Sequence, residues 1–508
     1  MKHNNYIKTL ALGGIALFSM ASCSLDYEPI SQPSELTQGS SSSGSTAVLK
    51  DKDAADKQLS ALYELLRSRI EHMHCDYLLL GDSHTDNAYA GTTGAEVVPF
   101  ENNSIDASNP DLGRDWDRYL SDIAQANVLI NGAEQLKANG QISETEYHTY
   151  KAQGEIFRAF MMFRMARIWG SFPVITKIAE TITSDNIEEV FPTYYPPRKT
   201  TEECYQQILE DLLDAEQYAP ENDNTNRTKL TKTVAQAMLA KVYAEKPVQN
   251  YDKVIEYADK VIKTNGVALE PNFETLWGYD SEKQDCMKRN TTEGILELHW
   301  TTGGENWESM MYGRQLHNWD DSFTWAKWIT PSRDLINDFD KEGDEVRKNQ
   351  TIVYYTCSWS NYYPASNYPF MYKYRSGRNN EYLIRLADII LMKAEAEAYK
   401  GNLSESATLV NQIRKRAKLQ DLTADKTSSK EAMIEAVLHE RRLELALEGE
   451  RWFDLVRNNK VEEYLNGIDN RDSGRIKQQK VFDSNSYLLP IPQTALDQNS
   501  NLQQNPGY

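Results

Sequence analysis

Five of the ten tryptophans, Trp300, Trp307, Trp319, Trp325 and Trp328, fall between residues 300 and 328, and Trp359, Tyr362, Tyr363 and Tyr368 follow soon after. Aromatic rings present a negative π-face, and the C–H face of a sugar ring carries the complementary charge, so exposed rings of this kind stack on carbohydrate. Amide and carboxylate side chains beside the rings then set specificity by hydrogen bonding the hydroxyls. Asn306, Asn318, Asp320 and Asn361 are placed for that role. Trp307, Tyr312, Trp319, Trp359 and Tyr362 lie among polar residues and glycines and are the candidate platforms, with Asp320 beside them. Trp300 sits in an apolar run and is expected in a core. A second loop, Gly81-Asp-Ser-His-Thr-Asp-Asn-Ala-Tyr89, is dense in hydrogen-bonding groups, and Asp82, Asn87 and Tyr89 are its candidate contacts. The plainer reading of that loop is a solvated turn held by its own Asp and Asn side chains.

Other chemistries find less support. His72-Met-His74-Cys75 has metal-ligand residue types, but no second cluster accompanies it and a closed zinc site needs four ligands. No metal site and no cofactor are expected. Glu444 and Glu448 stand one helical turn apart, and retaining glycosidases place two carboxyls roughly 5 Å apart across a bound sugar. These two are instead flanked by Arg441 and Arg451, three residues away in each case, and read as rungs of a helix-surface ion ladder. No nucleophile elbow, phosphate loop or zinc-protease helix occurs. The expectation is a binding protein and not an enzyme.

The chain begins with Lys2, His3 and Lys8, a short apolar run from Leu10 to Phe18, then Met20-Ala-Ser-Cys23. The run is about half the roughly 20 residues that a membrane-spanning helix needs. The box resembles a lipoprotein cleavage site, with Met20 where Leu is usual. Residues 1–22 are thus expected to be a signal peptide and Cys23 a lipidated N-terminus, anchored to a membrane without crossing it. Losing Lys2 and Lys8 moves the net charge from −20 to −22. That excess disfavours nucleic acid and polyanionic ligands, and suits neutral ones. Residues 23–52, with Pro29, Pro33 and Gly39-Ser-Ser-Ser-Ser-Gly-Ser45, read as a flexible tether.

Residues 53–508 read as a single mainly α domain. Apolar residues recur at helical spacing over Ala55–Ile70, Trp116–Leu136 and Glu144–Trp169. Two stretches share one plan: Val234–Ile262 breaks at Pro247, and Leu386–Leu419 breaks at Gly401. Each is a helix, a turn and a second helix, with small residues in the first helix, which is the logic of tetratricopeptide-like repeats. Thr201–Tyr218 and Glu431–Val456 supply further helices. Residues 53–269 thus form a helical part and 383–508 a second one. The intervening 270–382 is loop-rich and aromatic, with Gly294–Trp300 its strand-like stretch.

Four segments together resemble one family. Ala152-Gln-Gly-Glu-Ile-Phe-Arg-Ala-Phe160 runs on to Arg167-Ile-Trp-Gly-Ser-Phe-Pro173. Arg385-Leu-Ala-Asp-Ile-Ile-Leu-Met-Lys-Ala-Glu-Ala-Glu397 is followed by Asn411-Gln-Ile-Arg-Lys-Arg416. His439-Glu-Arg-Arg-Leu-Glu-Leu-Ala-Leu-Glu-Gly-Glu-Arg-Trp-Phe-Asp-Leu455 resembles a signature helix, and Tyr487-Leu-Leu-Pro-Ile-Pro492 to Tyr508 a terminal segment. With the lipoprotein box they stand in the order of SusD/RagB outer-membrane nutrient-binding proteins. The resemblance implies four tetratricopeptide-like units packed against a loop-rich region. It implies an outer-membrane lipoprotein, facing the cell exterior, that captures oligosaccharide or polysaccharide and delivers it to a SusC-type TonB-dependent transporter. It also implies that N-terminal loops line the glycan site and that Trp325 and Trp328 belong to a structural stretch. A purely structural transporter lid, or a binder of peptide or another nutrient, is the alternative.

Overall fold

The computed structural model describes residues 48–300, 305–313, 316–321 and 328–508. The expected leader, Cys23, nearly all of the expected tether, and Trp325 lie outside the described residues. The main helices are α1 (Lys52–Ser68), α2 (Pro110–Ala138), α3 (Glu144–Trp169), α4 (Thr201–Tyr218), α5 (Lys232–Ala244), α6 (Tyr251–Ile262), α7 (Arg333–Glu342), α8 (Leu386–Lys400), α9 (Leu403–Arg416), α10 (Lys430–Glu444) and α11 (Arg451–Arg457). No helix among the described residues is long and apolar enough to cross a membrane.

The sequence marks several of these boundaries chemically. Ser143 with Glu146, and Thr200 with Glu203, form reciprocal capping boxes that satisfy the otherwise unpaired amides opening α3 and α4. The turn after α5 begins at Glu245 and carries Pro247, and Gly401 ends α8. The helices then pack in succession: α1 on α2, α2 on α3, α3 on α4, α4 on α5, α5 on α6, α6 on α8, and α8 on both α9 and α10. Ala235, Ala237 and Ala240 in α5, and Ala387, Ala394 and Ala398 in α8, are fully buried and let the partner helix approach. One contiguous apolar core runs from Leu49 to Leu502 and takes residues from the helical parts and from the loop-rich segment, Trp300 among them.

The loop-rich segment holds more regular structure than its sequence pattern suggests. Strands β1 (Gly294–His299), β2 (Ile352–Tyr355), β3 (Tyr368–Met371) and β4 (Asn380–Arg385) form two antiparallel pairs, β1 with β4 and β2 with β3. Only β1 was expected. β2 and β3 are four residues each, too short for alternation to stand out from a Tyr-rich background.

The stretch His439–Leu455 is not one helix. α10 stops at Glu444, and Leu447 and Gly449 both take positive φ, 62° and 82°, before α11 begins. A Cβ on Gly81 would lie 2.3 Å from the Gly449 backbone, so these two glycines let the N-terminal loop and the α10–α11 turn touch chain to chain.

The expected ladder along this helix gives way to long-range pairing. Arg441 binds Asp388 and Asp454, each at 2.9 Å, and Arg451 grips Asp86 with two bonds of 2.9 and 2.8 Å. Glu444 accepts from Arg385 at 2.6 Å, from Arg347 at 3.2 Å and from Arg416, and Glu448 accepts from Arg385 and Lys373. These side chains are 0–8% exposed and tie β4, α9, α10 and residue 347 into one buried network.

Candidate functional site

A cleft of about 780 Å³ opens in the loop-rich segment. Its first wall is a tight hairpin, Tyr279–Asp280 paired with Asp285–Cys286, which carries Tyr279, Ser281 and Gln284. Its second is the segment from Glu305 to Ser309, which carries Asn306 and Trp307. The turn Ser376-Gly-Arg378 before β4 and the pair His317-Asn318 complete it.

Backbone bonds hold the walls in register. The Asn306 amide donates to the Gly377 carbonyl at 2.7 Å, and the His317 amide to the Arg375 carbonyl at 3.3 Å. A Cβ on residue 377 would sit 3.0 Å from the Asn306 carbonyl oxygen, so glycine there allows this close approach. Arg378 reaches across the cleft, donating to the Gln284 carbonyl at 2.6 Å and pairing with Glu305 at 3.0 Å. Tyr279 lies over the His317 ring with centroids 3.8 Å apart, and burial lowers the His317 pKa, which favours the neutral imidazole.

The cleft therefore offers the half-buried rings of Tyr279 and Trp307, several amides and hydroxyls, and one arginine balanced by one glutamate. On a chain of net charge −20 this is a locally neutral surface. Glu305 is the single carboxylate among the described lining residues, and it is ion-paired.

The predicted residues separate into three groups. Trp307 lines the cleft. Trp319 and Trp359 lie in an adjoining aromatic cluster with Leu316, Tyr355, Tyr368 and Phe370. Trp319 stacks on Tyr355 at 4.9 Å and donates its indole N–H to the Thr356 carbonyl at 3.0 Å, while Trp359 meets Tyr368 edge-on at 4.6 Å. Both remain half-buried, and Asp320 beside them is exposed. Tyr362 stacks on Tyr89 at 4.6 Å and donates to Glu101 at 2.7 Å.

The third group is enclosed. Tyr312 is 1% exposed and donates its hydroxyl to Glu308. Asp82 and Tyr89 are each 0% exposed and Asn87 1%, so the loop is neither a ligand surface nor a solvated turn. Asp82 accepts from the Asn87 side chain at 2.8 Å and from the Leu447 and Gly449 amides, and burial pushes its carboxyl up to about 6. Asn87 accepts from Arg442 at 2.9 Å, and Tyr89 donates to Asp472 at 2.6 Å. The loop's polar density thus serves as a latch onto α10, the turn that follows it and Asp472. Tyr279, His317 and Arg378 escaped the sequence reading because each is an isolated residue in a short turn. The one available signal was an aromatic residue ahead of the polar stretch Asp280-Ser-Glu-Lys.

A family model described as "SusD family" matches residues 215–508, and one described as "Starch-binding associating with outer membrane" matches residues 50–244. The chain belongs to the SusD family. Its similarity to "SusD-like protein P2" of Formosa agariphila is 26% identity, over 85% of this chain and 87% of that protein. A "SusD-like protein" of Bacteroides ovatus is 24% identical over 80% and 75%. Among solved structures, a SusD superfamily protein of Bacteroides vulgatus superposes with TM-score 0.74 at 21% identity, covering 91% of this chain and 100% of that one. A "Laminarin binding SusD-like protein" superposes with TM-score 0.70 at 23% identity, covering 90% and 100%. These likenesses establish a mainly α SusD fold, as its helices indicate.

Proposed function

We propose that this SusD-family protein captures a neutral oligosaccharide or polysaccharide at the cell surface in the Tyr279–Trp307 cleft and passes it unchanged to a SusC-type TonB-dependent transporter. The observation that carries the reading is the pairing of half-buried aromatic rings with amides and hydroxyls in a charge-balanced cleft. A sugar ring supplies the complementary pattern of C–H faces and hydroxyls, and an ionic ligand would have to displace the Arg378–Glu305 pair. A non-catalytic role is supported by the lone ion-paired Glu305 in the described lining, and by Glu444 and Glu448, which lie buried among cations instead of facing a cleft. Attachment to the outer membrane through lipid on Cys23, facing outward, fits the outer-membrane description of the N-terminal family model.

Affinity electrophoresis through gels containing neutral polysaccharides tests this, with laminarin first because a structural neighbour is named for binding it. Retardation by one polysaccharide, lost when Tyr279 and Trp307 are both changed to Ala, is the expected result. A wild-type protein retarded by none would shift the weight to a transporter lid or to a peptide ligand. Retention of binding in the double variant would move the site to the Trp319–Trp359 cluster.

A further inference from the structure

Behind the wall that carries Trp307, three side chains from distant parts of the chain converge. His74 comes from the helical stretch Glu71–Cys75, Glu308 from the residue before the short helix Ser309–Gly313, and Glu381 from β4. One donor atom of each, a ring nitrogen and two carboxylate oxygens, lies within 4.8 Å of the others, and all three residues are buried. Nδ1 of His74 is 2.7 Å from Oε2 of Glu381, and that oxygen accepts no hydrogen bond although Glu381 is only 1% exposed.

The groups that hydrogen-bond the two carboxylates are neutral; the buried guanidinium of Arg164 acts on Glu381 from a distance and is itself bonded to the Met73 carbonyl. The Asn306 amide nitrogen donates to both, at 3.0 Å in the case of Glu308, and the Tyr312 hydroxyl donates to Glu308. Among the described residues, Glu308 forms no ion pair with Lys or Arg, and Glu381 pairs only with His74. Glu444, equally buried, is met by three arginines. Two carboxylates enclosed without a directly paired Lys or Arg each carry a penalty of several kcal/mol, which the distant Arg164 offsets only in part. One divalent ion would cancel both charges while using the donor oxygen that is otherwise unmatched.

We infer that His74, Glu308 and Glu381 form a buried three-ligand site for a divalent transition-metal cation. One imidazole nitrogen with two carboxylate oxygens is a donor set that Zn²⁺ accepts readily and that Mn²⁺ also tolerates. Asn306 and Tyr312 act behind the ligands, fixing the carboxylates as outer partners do in metal centres. Cys75 and His72 of the neighbouring sequence are not part of it; His72 faces Asp122 at 3.1 Å. Because Asn306 also forms part of the cleft wall, the ion would tie that wall to β4 and to the N-terminal helical part. A proton shared between the two carboxyls is the competing arrangement.

The test uses the full chain, without a histidine tag, purified in detergent from cells grown with added Zn²⁺. Elemental analysis after exhaustive dialysis should give about one Zn²⁺ per chain, and unfolding and refolding with a chelator should lower the melting temperature reversibly. Wild-type protein refolded with Co²⁺ should show the visible absorption of a nitrogen- and oxygen-ligated ion. E308Q and E381Q should each lose the metal; if either fails to fold, the wild-type metal content and Co²⁺ spectrum decide alone. Metal below about a tenth of an equivalent, with no response to chelator or Co²⁺, would overturn the assignment and leave the shared proton. Stoichiometric metal retained by folded E381Q would overturn it too. Neither result bears on polysaccharide retardation, which is measured separately.

Discussion

Replacing Glu444 with Gln removes one negative charge and little volume from the most heavily cross-linked point of the C-terminal part. Its carboxylate is 0% exposed and is shared by Arg347, Arg385 and Arg416. Breaking a buried pair by deleting one partner costs roughly 3–5 kcal/mol, because the other charge stays enclosed and uncompensated. Here Arg347 keeps Asp344 and Glu440, Arg385 keeps Glu293 and Glu448, and Arg416 keeps Glu293. The loss should therefore sit near the low end, at about 3 kcal/mol. With an unfolding entropy of roughly 2.1 cal/mol/K per residue over about 460 residues, that is a melting-temperature drop of about 3 °C if the body unfolds as one unit. Burial alone would raise the Glu444 pKa, but the three arginines outweigh it and hold the carboxyl well below its usual range. A depressed folded-state pKa stabilises above the unfolded value and is lost as pH falls through the folded one. The gap between wild type and E444Q should hold from neutral pH down to the ordinary carboxylate range and close only in stronger acid. Calorimetry from pH 7 down to pH 3 reads both effects, with polysaccharide retardation measured in parallel. Equal melting temperatures at pH 7 would refute the network's role. A polysaccharide-cleaving activity present in wild type and lost in E444Q would refute the non-catalytic reading.

Trp307→Ala should weaken polysaccharide binding by roughly 2 kcal/mol, about 30-fold, since covering on the order of 50 Å² of ring surface contributes about 1.3 kcal/mol and the ring contact at least about 0.5 more. Titration calorimetry against the retarding polysaccharide reads this, and an unchanged affinity would remove Trp307 from the site. Gly81→Ala forces a Cβ into the Gly449 backbone and should cost about 3 kcal/mol or more, seen as a lowered melting temperature or loss of soluble protein. A fully stable G81A would show that the latch has slack. Cys23→Ala should release the protein from the membrane fraction, and a variant that still sediments with membranes would sink the lipid-anchor proposal.

Much of the helical framework is legible in the chain itself. The helix over Glu144–Trp169 is recovered to the residue because its signals are local: a Ser-x-x-Glu box at one end and Gly-Ser-Phe-Pro at the other. The paired helices around Pro247 and Gly401 follow, for the same reason, from apolar residues at helical spacing on either side of each break. Family membership is legible too, since it rests on short motifs in a fixed order. The ion network is not, because Glu444 gains its partners from residues 347, 385 and 416, which meet only after α9, α10 and β4 have packed.

The candidate site shows the same division. Composition and clustering point to the segment that holds the proposed cleft, and Trp307 is one of its lining residues. Exposure, however, is settled by what covers a side chain, and sequence neighbours do not report that. Asp82, Asn87 and Tyr89 look like a polar surface loop, yet partners over 350 residues later take up their hydrogen bonds: the α10–α11 turn for Asp82, Arg442 of α10 for Asn87 and Asp472 for Tyr89. Tyr279 and Arg378 looked unremarkable alone, and tertiary contacts place them on facing walls of one cleft. His74, Glu308 and Glu381 are likewise adjacent only in the folded chain. Local chemistry sets which elements form, while the long-range closure of those elements decides which polar and aromatic groups stay open to a ligand.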